Sequence, residues 1–312
     1  MKTLLVSGPD GVRQAAALLA AGELAALPTE TVYGLGASAL DPIACARIFE
    51  AKQRPLSDPL IVHIPDESWL YRLADPVGCA LDLALTFWPG PLTMVLPRSA
   101  EVPDIVTSGQ DTVALRRSAH PVFQQVATAF GQPIAAPSAN RFGRISPTSA
   151  AHVLEELDGA IPLILDGGPC SHGIESTIVA VEEHGLRILR HGPITEEQLS
   201  AFAPILSGSS DIAAPGNLKS HYAPRTPLTI ADPSTPPPGR IGLLAFTAPV
   251  DGYAEVECLS PDGDLREAAS RLFAAMRRLD NAGLDAIIAE PIPESGLGVA
   301  IMERLRKAAA RE

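Results

Sequence analysis

Short apolar runs alternate with longer stretches of helical period from the N-terminus to about residue 206, the pattern of a sheet with helices packed on it. Residues 4–6, 24–27, 60–64, 92–96 and 134–136 read as buried strands, with late strands at 163–165, 176–181 and 187–190. Helices are expected over 12–21, ending at Gly22, and from Pro42 to about Phe49 behind an Asp41 cap. Others are expected over 121–130, over 147–157 behind a Ser146 cap, and over 195–202. A Ser/Gly/Pro-rich passage follows. Ser207-Gly208-Ser209-Ser210-Asp211, Ala214-Pro215-Gly216 and Ala223-Pro224-Arg225-Thr226-Pro227 read as a linker. Beyond it, strands at 227–230, 241–246, 255–258 and 286–289 and helices at 265–279 and 298–310 predict a second, smaller α/β unit. The expected division is residues 1–206, a linker at 207–226, and residues 227–312.

Composition narrows the class. The 312 residues are 46% hydrophobic and 19% charged, which supports two cores and excludes wholesale disorder. Lys+Arg 24 against Asp+Glu 36 gives −12, which argues against a protein that grips nucleic acid along its whole surface. Lysine occurs only at Lys2, Lys52, Lys219 and Lys307, so the positive charge is almost all arginine, suited to bidentate recognition of carboxylate and phosphate. Cys45, Cys79, Cys170 and Cys258 form no CxxC pair and read as reduced thiols. No run approaches the length of a membrane span, and Pro9-Asp10 interrupts the N-terminus before a secretory apolar core. A soluble, cytoplasmic protein is expected.

Two weak signals are set aside. Gly34-Leu35-Gly36-Ala37-Ser38-Ala39 has the letters of a dinucleotide fingerprint, but Pro28-Thr29-Glu30-Thr31 separates it from the preceding strand and the next helix opens only at Asp41. These glycines read as a tight polar turn. Cys170-x-His172 has no second ligand pair, so no metal site is expected there.

Four polar islands interrupt the strand-forming sequence: Pro28-Thr29-Glu30-Thr31-Val32-Tyr33-Gly34-Leu35; Lys52-Gln53-Arg54-Pro55 ahead of Asp58 and His63; Thr112-Val113-Ala114-Leu115-Arg116-Arg117; and Ala136-Pro137-Ser138-Ala139-Asn140 with Ser146 following. Polar residues at strand ends converge on one edge of an α/β sheet, where ligands usually bind. Singly, each has a plainer reading: Lys52 and Arg54 as a solvated helix end, one of Arg116 and Arg117 as exposed by strand alternation, His63 as a satisfied core histidine, and Ser138 and Asn140 as a turn after Pro137. Jointly they describe an anion-binding cleft in an acidic protein.

In combination these motifs resemble the YrdC-type threonylcarbamoyl-AMP synthases. The resemblance rests on the segment from Pro28 to Gly36, Lys52-x-Arg54 with residues 60–63, Ser138-x-Asn140, Gly173-Ile174-Glu175-Ser176-Thr177-Ile178-Val179 and Leu189-Arg190-His191-Gly192. Ser220-His221-Tyr222-Ala223-Pro224 resembles the hallmark of the long, two-domain form, so the likeness covers essentially the whole chain. It implies an α/β fold with a twisted-sheet YrdC-like N-terminal domain carrying a ligand cleft, plus a smaller Rossmann-like α/β C-terminal domain. The implied reaction condenses L-threonine, bicarbonate or CO2, and ATP to threonylcarbamoyl-AMP and pyrophosphate, for later transfer to a tRNA adenosine.

The same resemblance implies an L-threonine pocket of Thr31, His63, Arg116, Ser176 and the backbone at Ala136, with Arg116 as the bidentate carboxylate partner. It implies an ATP site of Arg54, Asp58, Thr112, Ser138, Asn140, Ser146, Arg190 and Tyr222, with Lys52 and Arg54 as the catalytic charges where triphosphate and carbamate meet. Mg2+ is expected with ATP rather than in a protein cage, and a downstream tRNA threonylcarbamoyl transferase complex is the expected partner. Neither membrane association nor tight tRNA binding is expected. Tyr222 is expected to belong to a lid over the nucleotide. The competing readings are carbamoyl-adenylate transfer, as in hydrogenase-maturation proteins whose cysteine clusters this chain lacks, and an RNA-binding or ribosome-maturation module without catalysis.

Overall fold

The expected apolar strands pair into one mixed sheet. A computed structural model describes residues 2–208, 212, 214–215 and 221–310. Residues 209–211, 213, 216–219 and Ser220 of the expected linker lie outside the described residues. The strands are β1 (Leu4–Ser7), β2 (Ala25–Leu27), β3 (Gly34–Ser38), β4 (Ile61–His63), β5 (Leu92–Pro97), β6 (Thr112–Arg116), β7 (Ile134–Ala135), β8 (Leu163–Asp166), β9 (Thr177–Glu182) and β10 (Gly185–Arg190). Their order is β1-β8-β2-β3-β7-β4-β6-β5-β9-β10. Helices α1 (Gly8–Ala20), α2 (Pro42–Lys52), α3 (Ser68–Leu73), α4 (Ala80–Phe87), α5 (Asp104–Thr107), α6 (Pro121–Phe130), α7 (Ala150–Leu157) and α8 (Glu196–Leu199) connect them.

The sheet is covered unequally, and that creates the site. On one face Leu60, Val62, Met94 and Leu115 pack into a large core with Ile48 of α2, Leu70 of α3, Leu83 of α4 and Val153 of α7. On the other face α1 and α6 cover β1, β8, β2, β3 and β7, through Val12, Leu19, Phe123 and Val126 against Ala25, Leu27, Ile134 and Leu165, and the Phe123 ring reaches His63 of β4 at 4.8 Å. The same face of β4, β6, β5 and β9 is left to polar residues at one end and to Ile61, Val95, Ala114 and Ile178 at the other.

The second sheet is parallel, in the order β11-β14-β12-β13, from β11 (Leu228–Ile230), β12 (Ile241–Ala245), β13 (Glu255–Cys258) and β14 (Ala286–Ala289). Helices α9 (Leu265–Asp280) and α10 (Leu297–Ala309) pack against it and also reach the first unit. Their core includes Val32, Ile145 and Ile174 of the first unit. At Gly173 (φ +71°) a Cβ would come within 2.4 Å of the Ser270 Cα, so only glycine allows this approach.

Three expectations change. The Gly34–Gly36 stretch is strand β3, antiparallel to β2 and β7, and not a turn; a Cβ on Gly36 would press within 3.1 Å of the Ile134 side chain. Its glycines serve close packing. The N-cap of α7 is Ser149, whose hydroxyl accepts from the His152 amide, which frees Ser146 for another role. Helices α3 and α4 had no sequence counterpart, since neither has a side-chain N-cap to announce it.

Candidate functional site

The exposed part of the first sheet becomes a cleft where Thr31, His63, Arg116, Ala136 and Ser176 meet Arg54, Ser138, Arg190 and Tyr222, with Glu175 and Pro215 in the wall. Strand alternation puts His63, Arg116 and Ser176 on its floor, since β4 and β6 pair His63 beside Arg116. The first island supplies Thr29 and Thr31, and the Thr29 hydroxyl donates to the Val32 carbonyl at 2.6 Å to hold that turn.

Arg116 is almost wholly buried and fixed on three sides. Its Nη2 donates to Glu30 Oε1 at 2.7 Å, its Nη1 to Thr31 Oγ1 at 2.9 Å and its Nε to the Gly90 carbonyl at 3.3 Å. A guanidinium has five N–H groups, so one on each Nη remains for a ligand carboxylate. Glu30 also accepts from the Ser118 hydroxyl. Burial alone would push the Glu30 carboxyl up, but the Arg116 guanidinium and Ser118 hold it down at about 2. The pair therefore leaves little net charge at this end. Burial, and then Arg116, push His63 down to about 3, so it is neutral at physiological pH.

The depressed Glu30 ties stability to acid. A carboxyl lowered in the fold contributes above its ordinary value of 4.5, and that contribution fades as pH falls toward 2. Over that window the native protein should lose on the order of 3 kcal/mol more unfolding free energy than a Glu30→Gln variant. Parallel acid profiles of the two would show that Glu30 is not the linked group.

At the other end Arg54 is locked to the turn that follows it: Nε donates to the Asp58 carbonyl at 3.0 Å, and Nη2 donates to the Pro59 carbonyl at 2.7 Å and lies 3.0 Å from the Asp58 carboxylate. Arg190 donates through Nε to the Ser176 carbonyl at 3.0 Å and through Nη2 to the Ser176 hydroxyl at 3.1 Å. That hydroxyl also meets Thr93 Oγ1 at 2.8 Å. Ser176 thus stands between the Arg116 end of the cleft and its Arg54–Arg190 end.

Several expected residues stand behind the wall. Lys52 is buried and its ammonium donates to the Ser138 carbonyl at 2.6 Å and the Asn140 carbonyl at 2.5 Å, which pins the Ser138–Asn140 loop. Its side chain is not among those lining the cleft; it holds Ser138, which is, from behind. Asp58 acts through Arg54. Asn140 donates through Nδ2 to the carbonyls of Arg141 and Arg144 at 2.8 and 2.9 Å. Ser146 donates to Glu175 Oε1 at 2.5 Å. Thr112 shares the Arg116 face of β6 but lies four residues back, about 13 Å along the strand, in a separate cavity with Val95, Ala180 and Ile212. Ala214 packs on the apolar strip between them.

Tyr222 is buried with φ +61°, its ring stacked on Phe273 of α9 at 5.5 Å and lying 5.4 Å from the Arg304 guanidinium of α10. The aromatic residue of the linker is therefore part of the second unit's core while it lines the cleft. Among the described residues, His63 Nδ1, Asn140 Oδ1, His221 Nδ1 and the Tyr222 hydroxyl are buried without a hydrogen-bond partner, and all lie in or just behind the cleft. Such atoms cost about 1–3 kcal/mol each when unsatisfied, and a polar ligand would supply their partners.

Sequence reasoning gave no role to Glu30, Ser118, Glu175 or Arg304. Glu30 and Glu175 stood inside quoted motifs, and a carboxylate amid arginines was their signal. Arg304 follows Ala300 and Ile301 at helical spacing on the apolar stripe of α10, where an arginine is out of place.

A family profile described as telomere recombination, covering Sua5, YciO and YrdC proteins, matches residues 17–192. A second, described as the threonylcarbamoyl-AMP synthase C-terminal domain, matches residues 194–310. The threonylcarbamoyl-AMP synthase of Pyrococcus abyssi is 42% identical over 317 residues, covering 95% of this chain and 93% of its own. That of Bacillus subtilis is 42% identical over 320 residues, covering 96% and 92%. A crystal structure of P. abyssi Sua5 complexed with L-threonine superposes with a TM-score of 0.90 at 39% identity, covering 98% of each chain.

Proposed function

From the premise that this chain belongs to the threonylcarbamoyl-AMP synthase family in its two-domain form, we propose that its cleft joins L-threonine, bicarbonate or CO2, and ATP at the residues described above. The enzyme is a nucleotidyltransferase that makes threonylcarbamoyl-AMP. The observation that carries the site reading is the shared Ser176, which links the Arg116 pocket to Arg190 and the arginine end of the cleft.

In this reading the two remaining N–H groups of Arg116 hold the threonine carboxylate, and Thr31, neutral His63 and Ser176 bond its other polar groups. The threonine amine captures bicarbonate as a carbamate with loss of water. A carbamate oxygen then attacks the α-phosphorus of ATP, and pyrophosphate leaves. Arg54 and Arg190 neutralise the charge that develops, while Ser138 and Tyr222 border the nucleotide. No side-chain nucleophile takes part, so rate comes from holding anions together. The adenosine end would extend along Ile61, Ala114 and Ile178 toward Thr112, a path that requires Ala214 and Pro215 to move. Among the described residues no group of three His, Cys, Asp or Glu side chains could hold a metal. Magnesium in this reading enters with the triphosphate, largely water-coordinated. The cytoplasmic location and the hand-over of product to a tRNA transferase complex belong to the same proposal. No helix among the described residues is long and apolar enough to cross a membrane.

The test is threonine-dependent pyrophosphate release from ATP in bicarbonate buffer, with the adenylate identified by mass. Release that ignores threonine or bicarbonate would defeat the reading, and salt-dependent RNA affinity without turnover would favour the RNA-binding alternative. Substrate choice gives a second check. Serine lacks one methyl group of threonine, worth roughly 10- to 200-fold in kcat/KM, and alanine should be poorer still. Comparable turnover of all three would reassign the pocket.

A further inference from the structure

The cleft is built for anions, yet Glu175 stands in its wall. A second unit that merely hung from a linker would have no bearing on that carboxylate. Instead α10 sends Arg304, fully buried, across the boundary. Its Nε donates to Glu175 Oε2 at 2.9 Å, while Glu175 Oε1 accepts from Ser146. Neither Nη makes a hydrogen bond, although Nη1 lies 3.4 Å from the Glu303 carboxylate. Glu303 in turn accepts from the backbone amide of His191 at 3.0 Å, next to Arg190. One turn of α10 thus holds both loops that carry nucleotide-facing residues, Glu175-Ser176 and Arg190-His191.

We propose that Arg304 is a positioning residue for the synthase site, supplied by the second unit: it neutralises Glu175 and turns it toward Ser146, so that this carboxylate does not repel the phosphates of ATP or capture Arg190. The inference rests on the synthase reading above. It assigns the C-terminal unit a chemical contribution, the compensation of a wall carboxylate, in the way Arg116 compensates Glu30 at the threonine end.

The experiment is a double-mutant cycle on the full chain, read as KM for ATP and, by calorimetry, as threonine affinity. Arg304→Met leaves Glu175 uncompensated in the cleft wall and is expected to raise the ATP constant roughly 10- to 100-fold, with threonine affinity changing less than about threefold. Adding Glu175→Gln removes the repelling charge and should recover most of that loss. Arg306→Met, two residues on and on the opposite face of α10, 53% exposed against Glu294, should leave both constants unchanged. A double variant no better than Arg304→Met overturns the proposal, as does an equal loss of threonine and ATP affinity. If Arg304→Met does not fold, Arg304→Lys serves the same cycle: its ATP constant should rise less and should again fall on adding Glu175→Gln, and no change on that addition overturns the proposal. A native protein that makes no threonylcarbamoyl-AMP defeats the synthase reading instead, so the two failures are distinct.

Discussion

Arg116→Ala is expected to raise the half-saturating threonine concentration about 30-fold or more while leaving that for ATP nearly unchanged, because in the proposed reading the removed group clamps the threonine carboxylate alone. The native contacts complicate a single substitution. Arg116 also neutralises Glu30, and its loss leaves a buried carboxylate without a cation, a change that costs about 3–5 kcal/mol of stability in comparable pairs. The measurement is therefore made on Arg116→Ala and on the same change combined with Glu30→Gln. The second restores the charge balance but not the clamp, so it should recover stability and leave the threonine defect. Arg116→Lys should rescue poorly. An ammonium on a single stem cannot satisfy Glu30, Thr31 and the Gly90 carbonyl while offering two parallel bonds to a ligand. Equal losses for threonine and ATP in the charge-balanced variant would remove Arg116 from the threonine pocket.

The strands were legible wherever an apolar run was short, β-branched and bounded by turn residues, as at β4, β5 and β12. β3 was not, because Gly34 and Gly36 carry the letters of a turn, and only the proximity of Ala25, Ile134 and Ala136 shows why a strand needs glycine there. Ser146 and Ser149 are equally good caps in sequence; the choice is made by Glu175, distant in the chain, which takes the Ser146 hydroxyl. Lys52 illustrates the general limit. At a helix end it reads as a solvated cation, and the two carbonyls that take two of its three N–H donors come from a loop 86 and 88 residues away. Arg304 and Arg277 could have been found, since both interrupt apolar stripes at helical spacing, yet their partners Glu175, Glu155 and Glu156 lie in the other unit. The site residues came from motif resemblance; their charge compensation came only from the fold.

Removal of the chain after Leu206 is expected to leave a threonine-binding domain that has lost most of its ATP affinity and releases more pyrophosphate per threonylcarbamoyl-AMP trapped. Thr31, His63, Arg116 and Ser176 all belong to the first sheet and its loops, whose cores close without the second unit apart from Val32, Ile145 and Ile174. The nucleotide side does not survive in the same way, because Tyr222, Pro215 and the Arg304 support leave together. Water then reaches a labile acyl-adenylate, the usual reason for a cover over such a site. Tyr222 belongs to the second unit by its packing, since it is stacked on Phe273 and lies beside Arg304. Tyr222→Ala should therefore reproduce part of the defect and also loosen the second unit, by about 3–5 kcal/mol if it behaves as other large buried aromatics do. Tyr222→Phe separates the two effects: it keeps the stack and removes only a hydroxyl that has no partner among the described residues, so any loss of ATP affinity in it reports a contact to the nucleotide. Normal ATP dependence and normal product yield in both the truncated chain and Tyr222→Ala would reduce the connecting segment to a tether.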